Sequence, residues 1–300
     1  MTTFLPASLD HLDALRRLIS VARYSYKNIG DEDLRLIIEK GVVMLAYDGP
    51  ALWGALGIGL EDRPATLPGD ALNRGSVNVA AFMPGFWPGE WIPLLLDEVV
   101  QTLPENTLPL QIASYGPANW MERGLTSAGF EIDAQIVSMA LDKLQQTAFI
   151  PQSLAQSLAP APEPAQLRAA TPEDLPAVAV LDAQVFEPLW HFGHSHLLEL
   201  LWRGQIQLAI LDEEIVGYSA LLNNSRSEAQ LARLAVATGL QGKGIGRQLL
   251  ADAIENCRKL GYRRLALNTQ LSNLRSQKLY TSFGFRQFGE KIPVLTKNFY

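Results

Sequence analysis

The sequence predicts an α/β fold of the mixed-sheet, α+β type, present twice in tandem. Three observations predict it: an internal repeat over most of the chain, helix and strand patterns that alternate within the second copy, and a Pro-rich segment between the copies. The chain has 300 residues, which is enough for two domains of ordinary size. Its 48% hydrophobic and 19% charged residues are typical of globular proteins and exclude wholesale disorder.

The internal repeat is collinear in the two copies, with one change of spacing. Matching residues lie 163 positions apart early in the copies and 155 apart later, as in Leu12 and Leu175, Gly54 and Gly217, Ala80 and Ala235. Both copies end on a similar segment, 125–130 in the first and 280–285 in the second. We therefore predict domains at residues 1–145 and 166–300. Residues 146–165 are rich in Pro, Ala and Gln and are predicted to be a linker, because proline blocks regular pairing.

The second copy carries recognisable element boundaries. Thr171, followed by Pro172 and two acidic residues, marks a helix start, and Gly261 and Gly284 mark helix ends. The acidic residues 212–214 between two apolar runs predict an antiparallel hairpin. In order, the predicted elements are a strand at 167–170, a helix reaching about residue 186, a helix at 196–203, strands at 205–211, 215–222 and 230–236, a helix at 246–260, a strand at 264–268 and a helix at 273–282.

Charge, cysteine content and hydropathy exclude several classes of protein. A formal net charge of −6 provides no general basic face for nucleic acid. The single cysteine, Cys257, cannot form an intrachain disulfide, which is typical of a reducing compartment. The first residues lack a signal-peptide pattern, and no apolar run approaches the roughly 18 residues of a membrane span. We expect a cytoplasmic protein with no nucleic-acid and no membrane partner.

A glycine-rich segment between a buried strand and a helix is the strongest functional signal. It reads Gln241-Gly242-Lys243-Gly244-Ile245-Gly246-Arg247. Glycines let the backbone turn its N–H groups toward one point, and the helix start adds unpaired donors and the positive end of its dipole. This predicts a phosphate-binding loop, to which Lys243 and Arg247 add positive charge. A Walker A loop is excluded because no Ser or Thr follows Gly-Lys, and G-x-G-x-G fits the dinucleotide fingerprint poorly.

The same segment resembles the CoA-pyrophosphate motif Q/R-x-x-G-x-G/A of the GNAT acyltransferase superfamily. A second motif follows with the spacing of the family's N-x-x-[AS]-x-x-x-Y-x-x-x-G-F helix: Asn273, Ser276, Tyr280, Gly284 and Phe285. The resemblance covers roughly residues 166–287, and two motifs in order make it specific. It implies the acyl-CoA N-acyltransferase fold, here as two tandem GNAT-like domains, with acetyl-CoA as co-substrate and no metal.

The resemblance also implies a role for each motif residue. Backbone groups of the strand would bind the pantetheine arm, the glycine loop would bind the pyrophosphate, and the later helix would contact the CoA chain. The residues with these implied roles are Leu234, Ala235, Val236, Gln241, Gly242, Lys243, Gly244, Ile245, Gly246, Arg247, Asn273 and Ser276. Tyr280 would lie near the sulfur as the general acid. A phenol of pKa about 10 can protonate a departing thiolate whose thiol has a pKa of about 8.5, although a tyrosine packed in the core is the alternative.

The general base is less well marked. Some relatives that acetylate amines carry a Glu on the strand before the second motif, but this chain has Asn268 there, which accepts no proton at working pH. Glu228 precedes the strand at 230–236 and is the nearest carboxylate. It is our candidate base, directly or through water, with a solvated strand-end glutamate as the alternative.

Three of the four histidines lie in the segment 190–196, between the first two helices, where the family builds part of its acceptor site. The pattern formed by His191, His194 and His196 has no nearby carboxylate and matches no zinc spacing. We therefore predict a polar and aromatic acceptor wall and no metal site. An ordinary packed loop is the alternative.

The first copy has lost the glycine loop. At the offset of 155, residues 86–92 stand in its place, and Leu125 stands in place of the tyrosine. Trp87 and Pro88 fill space, proline lacks an N–H group, and Glu90 repels phosphate. We predict a degenerate GNAT-like domain that does not bind CoA and serves as structural partner, acceptor-site wall or ligand sensor.

Together these patterns predict an acyl-CoA-dependent N-acetyltransferase that transfers acetyl from acetyl-CoA to an amine. The transfer is direct, because Cys257 has no paired base in the sequence. The acceptor stays open between a small-molecule amine and a protein N-terminus or lysine. A non-catalytic CoA-binding or regulatory module is the alternative, motivated by Asn268 and the degenerate first copy; O-acylation is compatible with the same motifs.

Overall fold

The computed structural model describes residues 2–28, 33–61, 72–145 and 165–300. These residues divide into two compact units, one with the described residues up to 135 together with 292–300, the other with those from 136 to 291. The predicted domain ranges differ from the units, because residues 136–145 group with the second unit and 292–300 with the first. The predicted linker lies outside the described residues except for Ala165.

The first unit is a mixed sheet with helices packed on it. Its strands are β1 (Thr2–Pro6), β2 (Tyr24–Lys27), β3 (Val42–Asp48), β4 (Ala51–Leu60), β5 (Asn73–Phe82) and β6 (Leu110–Tyr115). Its helices are α1 (Leu12–Val21), α2 (Asp33–Lys40), α3 (Pro88–Thr102) and α4 (Asn119–Ser127). The strand order is β1-β3-β4-β5-β6, and only β5 and β6 pair in parallel among these strands. Residues 294–299, close to the chain end, pair antiparallel with β6.

The second unit repeats this arrangement. Its strands are residues 136–142 of β7 (Glu131–Asp142), then β8 (Gln166–Ala169), β9 (Gly204–Leu211), β10 (Glu214–Asn223), β11 (Glu228–Val236), β12 (Arg264–Gln270) and the start of β13 (Arg286–Phe299). Its helices are α5 (Leu175–Val185), α6 (His194–Arg203), α7 (Ile245–Lys259) and α8 (Leu274–Ser282). The strand order is β8-β9-β10-β11-β12-β7, with β11 and β12 parallel.

Helices cover both faces of the second sheet. On one face, Val178 of α5 and Leu197 of α6 pack with Tyr218 of β10. On the other face, Leu250 of α7 packs with Leu265 of β12. The apolar residues of α7 recur every three or four positions, which places them on one side of the helix toward the sheet. The sheet is therefore the middle of three layers.

The structure confirms the fold class and the predicted elements of the second copy, whose described ends lie within two residues of the predicted ones. The first helix is preceded by a short 3-10 turn, Pro172–Asp174, that Thr171 and Asp174 cap. The sequence analysis missed β13, because Gly289 and Pro293 interrupt its apolar pattern. None of the described helices combines the length and apolarity needed to cross a bilayer.

The hairpin between β9 and β10 turns through Asp212 and Glu213, whose φ angles are 49° and 65°. Positive φ at both central residues is what a type I′ turn requires, and a residue with a Cβ is strained there. We expect Glu213→Gly to raise the free energy of unfolding by about 1 kcal/mol, measured by urea denaturation. The same substitution at Glu214, which is in the strand, is the matched control and is expected to destabilise the protein.

Candidate functional site

The candidate site begins at a free strand edge. One edge of β11 pairs with β10 along its length, from Ala229 to Val236. The other edge pairs with β12 only from Glu228 to Leu231. Beyond that point no described strand pairs with this edge, so the backbone of residues 232–236 is left for another partner, except for the Val236 carbonyl oxygen, which accepts from Gln241. A bound extended chain can hydrogen-bond to such an edge as an added strand does.

A bulge in β11 sets which side chains face which helices. Ala220 pairs with Arg233 and Leu221 with Leu231, so Ala232 is an extra residue. Leu231 packs within the cluster that contains α7, whereas Arg233 contacts α5. In a regular strand, residues two positions apart share a face, so the bulge is what places these two side chains on opposite faces.

The glycine loop follows β11 and leads into α7. Gly242 and Gly244 have φ angles of 86° and 94°, in the left-handed region that glycine adopts without strain, and Gly244 is the N-cap of α7. The helix start contributes N–H groups without partners inside the helix, as expected for an anion site. A Cβ at Gly242 would lie 3.1 Å from Nη2 of Arg275. The absence of a side chain at Gly242 therefore keeps the space beside Arg275 open, and the loop fits a pyrophosphate.

Gln241 connects the strand end, the loop and α8. Its Nε2 donates to the carbonyl oxygen of Val236 at 3.1 Å, and its Oε1 accepts from Nη1 of Arg275 at 2.7 Å. The sequence analysis missed Arg275, because the family motif specifies no residue at that position. Arg275 is exposed beside the loop and adds a positive charge to that of Lys243, whereas the predicted Arg247 directs its guanidinium to Ser282 and Phe283 at the end of α8.

The second motif forms the first two turns of α8. Oδ1 of Asn273 accepts a hydrogen bond from the backbone N–H of Ser276 at 3.1 Å, so Asn273 is the N-cap of the helix. This leaves its side-chain amide group available to a ligand. The Ser276 side chain lies one turn before Tyr280 and acts to lower the pKa of its phenol.

Tyr280 lies in the core beneath the free edge of β11. Its side chain is 6% exposed, packs 5.8 Å from the ring of Phe285, and belongs to the cluster against which Leu234 packs. Burial raises the pKa of Tyr280 to about 12, while the charge of Arg233 and the hydrogen bond with Ser276 act in the opposite direction. The phenol therefore keeps its proton at any working pH.

The structure does not bring Glu228 to this group. Glu228 is the first residue of β11, six positions from Leu234, which is about 20 Å along a strand. Its Oε2 lies 3.2 Å from Nε of Arg264 in an ion pair. Position in the sequence predicts Glu228 as the base, but the length of the extended strand places it away from Tyr280. Asn268 accepts a hydrogen bond from the Ser138 hydroxyl at 2.9 Å.

The three histidines of the segment 190–196 differ in their burial. His191 is 5% exposed, and its Nε2 hydrogen-bonds with the carbonyl oxygen of Phe186 at 2.7 Å. His194 and His196 are exposed at the start of α6, and the ring of His196 stacks on Phe192 at 5.6 Å. Within the described ranges, no group of three His, Cys, Asp or Glu side chains converges as metal ligands.

A buried ionic network was missed by the sequence analysis. Asp182 of α5 is fully buried and accepts from Nε and Nη2 of Arg233, both at 2.7 Å, and from the Tyr218 hydroxyl at 2.6 Å. It also accepts from the backbone N–H of Phe192 at 2.7 Å. The available signal was a charged residue in an otherwise apolar strand, since buried arginine is rare without a partner.

In the first unit the equivalent edge is closed. The edge of β5 that pairs with β6 at residues 73–76 is paired with β2 at 79–82. The connection to the following helix is residues 83–87, three fewer than 237–244 in the second unit. Trp87 is the N-cap of α3, and Pro88 is the first residue of that helix. Nearby, the rings of Trp53 and Phe86 stack with their centroids 4.0 Å apart.

The strand registers correct the offset of 155. Gly54 pairs with Phe82, and its match Gly217 pairs with Val236, so Phe82 takes the place of Val236. Ala235 is therefore matched by Ala81, and the earlier pairing with Ala80 was wrong by one residue. One constant offset cannot hold for both the strand and the following helix, because the loop between them is three residues shorter in the first unit.

The chain matches the family model described as the acetyltransferase (GNAT) family over residues 175–285. These residues contain the free edge of β11, the glycine loop and Tyr280. The match therefore covers the whole candidate site and stays within the second unit.

Two curated relatives are similar to parts of the chain. The uncharacterised N-acetyltransferase YvbK of Bacillus subtilis (strain 168) is 36% identical over 29% of this chain and 57% of its own length. The putative [ribosomal protein bS18]-alanine N-acetyltransferase of the same organism is 28% identical over 43% of this chain and 82% of its own length. The chain thus spans little more than half of the first relative.

One solved structure matches both units together. It is a tandem GNAT protein from the clavulanic acid biosynthesis pathway, 14% identical, with a TM-score of 0.64 over 99% of this chain and 98% of that chain. At this identity the likeness concerns the fold alone. It extends the fold of residues 175–285 to the first unit.

Proposed function

We propose that this chain is an acyl-CoA-dependent N-acetyltransferase of the GNAT superfamily, because residues 175–285 match the GNAT family model and the chain carries this fold twice in tandem. The second unit would transfer acetyl from acetyl-CoA to an amine. The observation that carries the proposal is the free edge of β11 leading into the glycine loop at the start of α7. The first unit offers neither feature.

Each part of the site is proposed to hold one part of acetyl-CoA. The backbone of Leu234 to Val236 would bind the pantetheine arm along the free edge. The N–H groups at the start of α7, with Lys243 and Arg275 beside them, would bind the pyrophosphate. The Asn273 amide would contact the chain between them. When bound, acetyl-CoA supplies the thioester whose acetyl group is transferred.

Tyr280 is proposed to donate a proton from its hydroxyl to the thiolate that leaves. Burial raises its pKa to about 12, so the proton is in place when the thiolate leaves. Acyl transfer to an amine also requires the amine in its neutral form. We assign no base to this step, because Glu228 is ion-paired far along the strand.

The acceptor is proposed to be a primary amine, either of a small molecule or of a protein N-terminus or lysine. The names of the relatives include the putative [ribosomal protein bS18]-alanine N-acetyltransferase and the N-acetylaspartate synthetase of Danio rerio, which is 32% identical over 30% of this chain and 34% of its own length. Both names describe transfer to an α-amine. The exposed His194 and His196 beside Phe192 are proposed to line this part of the site.

A panel of amines tests the proposal. Purified protein with acetyl-CoA is incubated with amino acids, polyamines, aminoglycosides and short peptides, and CoA release is followed with a thiol reagent. We expect release that depends on one class of amine and is confirmed by mass of the acetylated product. Saturable acetyl-CoA binding without acetylation of any amine would favour the non-catalytic CoA-binding module, for which the lack of an assigned base is the supporting observation.

A further inference from the structure

The buried network of Asp182, Tyr218 and Arg233 occurs in only one copy of the repeat. Asp182 corresponds to Ile19 and Tyr218 to Ala55 at the offset of 163. The strand register matches Arg233, which pairs with Ala220, to Val79, which pairs with Gly57. All three first-copy residues are apolar and belong to or pack against one core cluster. The fold therefore does not require the network.

Stability does not explain the network either. A buried ion pair loses hydration, and replacing it by well-packed apolar residues is often neutral or stabilising. The first copy contains that replacement. The contacts of the network with the neighbouring chain segment indicate a different role.

Arg233 and Asp182 hold one segment of chain, residues 186–192. The guanidinium lies between two rings of this segment, 3.6 Å from the centre of Phe186 and 3.9 Å from that of Phe192. Nη2 of Arg233 also donates to the carbonyl oxygen of Trp190, and Asp182 accepts from the backbone of Phe192. Cation–π contacts and charge-assisted hydrogen bonds thus fix both ends and the middle of the segment.

The equivalent segment of the first copy has a different conformation. Residues 187–190 correspond to 24–27, which form β2 and pair with residues 79–82 of β5. That pairing closes the edge of β5 that corresponds to the free edge of β11. In the second copy, residues 188–190 form a 3-10 turn, and the edge beyond Leu231 has no paired strand among the described residues.

We propose that Arg233, anchored by Asp182, is a positioning residue that holds residues 186–192 off the free edge of β11 and so keeps the acetyl-CoA site open. Without the network, this segment pairs with residues 232–236 as β2 pairs with β5. The proposal rests on the proposed function, which assigns the edge to the pantetheine arm. The charge of Arg233 reaches this site, because it lowers the pKa of Tyr280 against the effect of burial.

The test is a triple variant in which the network is replaced by apolar side chains, as in the first copy: Asp182→Ile, Tyr218→Phe and Arg233→Val. All charged or hydroxyl groups of the network are removed at once, so none is left buried and unpaired. We expect a folded protein whose melting temperature changes by no more than about 5 °C. Acetyl-CoA affinity, measured by calorimetry, is expected to fall by about 100-fold or more, because the ligand must displace a paired strand.

Two further variants separate positioning from general damage. Arg233→Lys keeps the charge but loses the planar fork and the ring stacking, and is expected to weaken acetyl-CoA binding by about 10-fold. The matched control replaces another buried ion pair, Arg74 with Glu61, by Met and Gln. It lies in the first unit and is expected to leave acetyl-CoA affinity unchanged.

Amide hydrogen exchange provides a readout without any ligand. Exchange across residues 232–236 is expected to slow in the triple variant, because the edge gains a partner. Wild-type affinity together with unchanged exchange in the triple variant would overturn the proposal. If the wild-type protein itself fails to bind acetyl-CoA, the proposed function is lost, and the exchange arm alone still decides whether the network holds the segment off the edge.

Discussion

Tyr280→Phe is expected to lower turnover by about 100- to 1,000-fold while leaving acetyl-CoA affinity within about twofold. The substitution removes only the hydroxyl, and the ring keeps its packing against Phe285. The leaving thiolate then has no positioned proton donor. Initial rates with the best amine of the panel, together with calorimetry, measure the two quantities.

Tyr262→Phe is the matched control for this prediction. Tyr262 lies in the same unit and its hydroxyl donates to Asn223 at 2.7 Å, away from the free edge. We expect less than about a twofold change in turnover. A Tyr280→Phe enzyme as fast as the control would show that Tyr280 is a core tyrosine without a catalytic role.

The pH dependence follows from the same residue. A general acid works only while protonated, so its contribution is present below its pKa and is lost as pH rises through it. Because burial raises the pKa of Tyr280 to about 12, its proton stays in place through pH 10. Between pH 8 and about pH 10 we therefore expect the rate to show no fall that depends on Tyr280, that is, none that disappears in Tyr280→Phe. A fall near pH 9 that depends on Tyr280 would contradict the assignment.

Gly244→Glu is expected to weaken acetyl-CoA binding by at least about 100-fold. Gly244 has φ of 94°, so a side chain strains the backbone that caps α7. The added carboxylate also places negative charge where the pyrophosphate would bind. Calorimetry measures the affinity, and thermal unfolding verifies that the variant is folded.

Gly261→Glu is the matched control at the other end of the same helix. Its φ is 83° and nothing lies within 4 Å of a Cβ built there, so the backbone strain is similar. We expect normal acetyl-CoA binding. Equal loss of binding in both variants would mean that strain in α7, and not the loop, accounts for the effect.

The parts of the candidate site that a sequence predicts best are those that depend on local chain geometry. The glycine loop and the Asn273 cap are set by residues within a few positions of one another, and the structure brings them together with Tyr280 and the end of β11. Glu228, the predicted base, does not join this group, because residues that are close along an extended strand are not close in space. An extended strand separates its ends by about 3.3 Å per residue.

The features that the sequence analysis missed depend on long-range pairing. Asp182 and Arg233 are 51 positions apart, and neither has a local pattern that names its partner. The closure of the β5 edge by β2 likewise joins residues 24–27 to 79–82. Trp87 and Pro88, in place of the glycine loop, predict that the first unit does not bind CoA, and strand pairing adds a backbone reason that no side-chain pattern shows.

The most direct measurement is a calorimetric titration of the purified chain with acetyl-CoA, since the central claim is one open cofactor edge per chain. We predict saturable binding at one site, abolished by Gly244→Glu and retained by Gly261→Glu. Binding at two sites would contradict the closure of the first unit by β2. An absence of saturable binding would contradict the acyltransferase assignment itself.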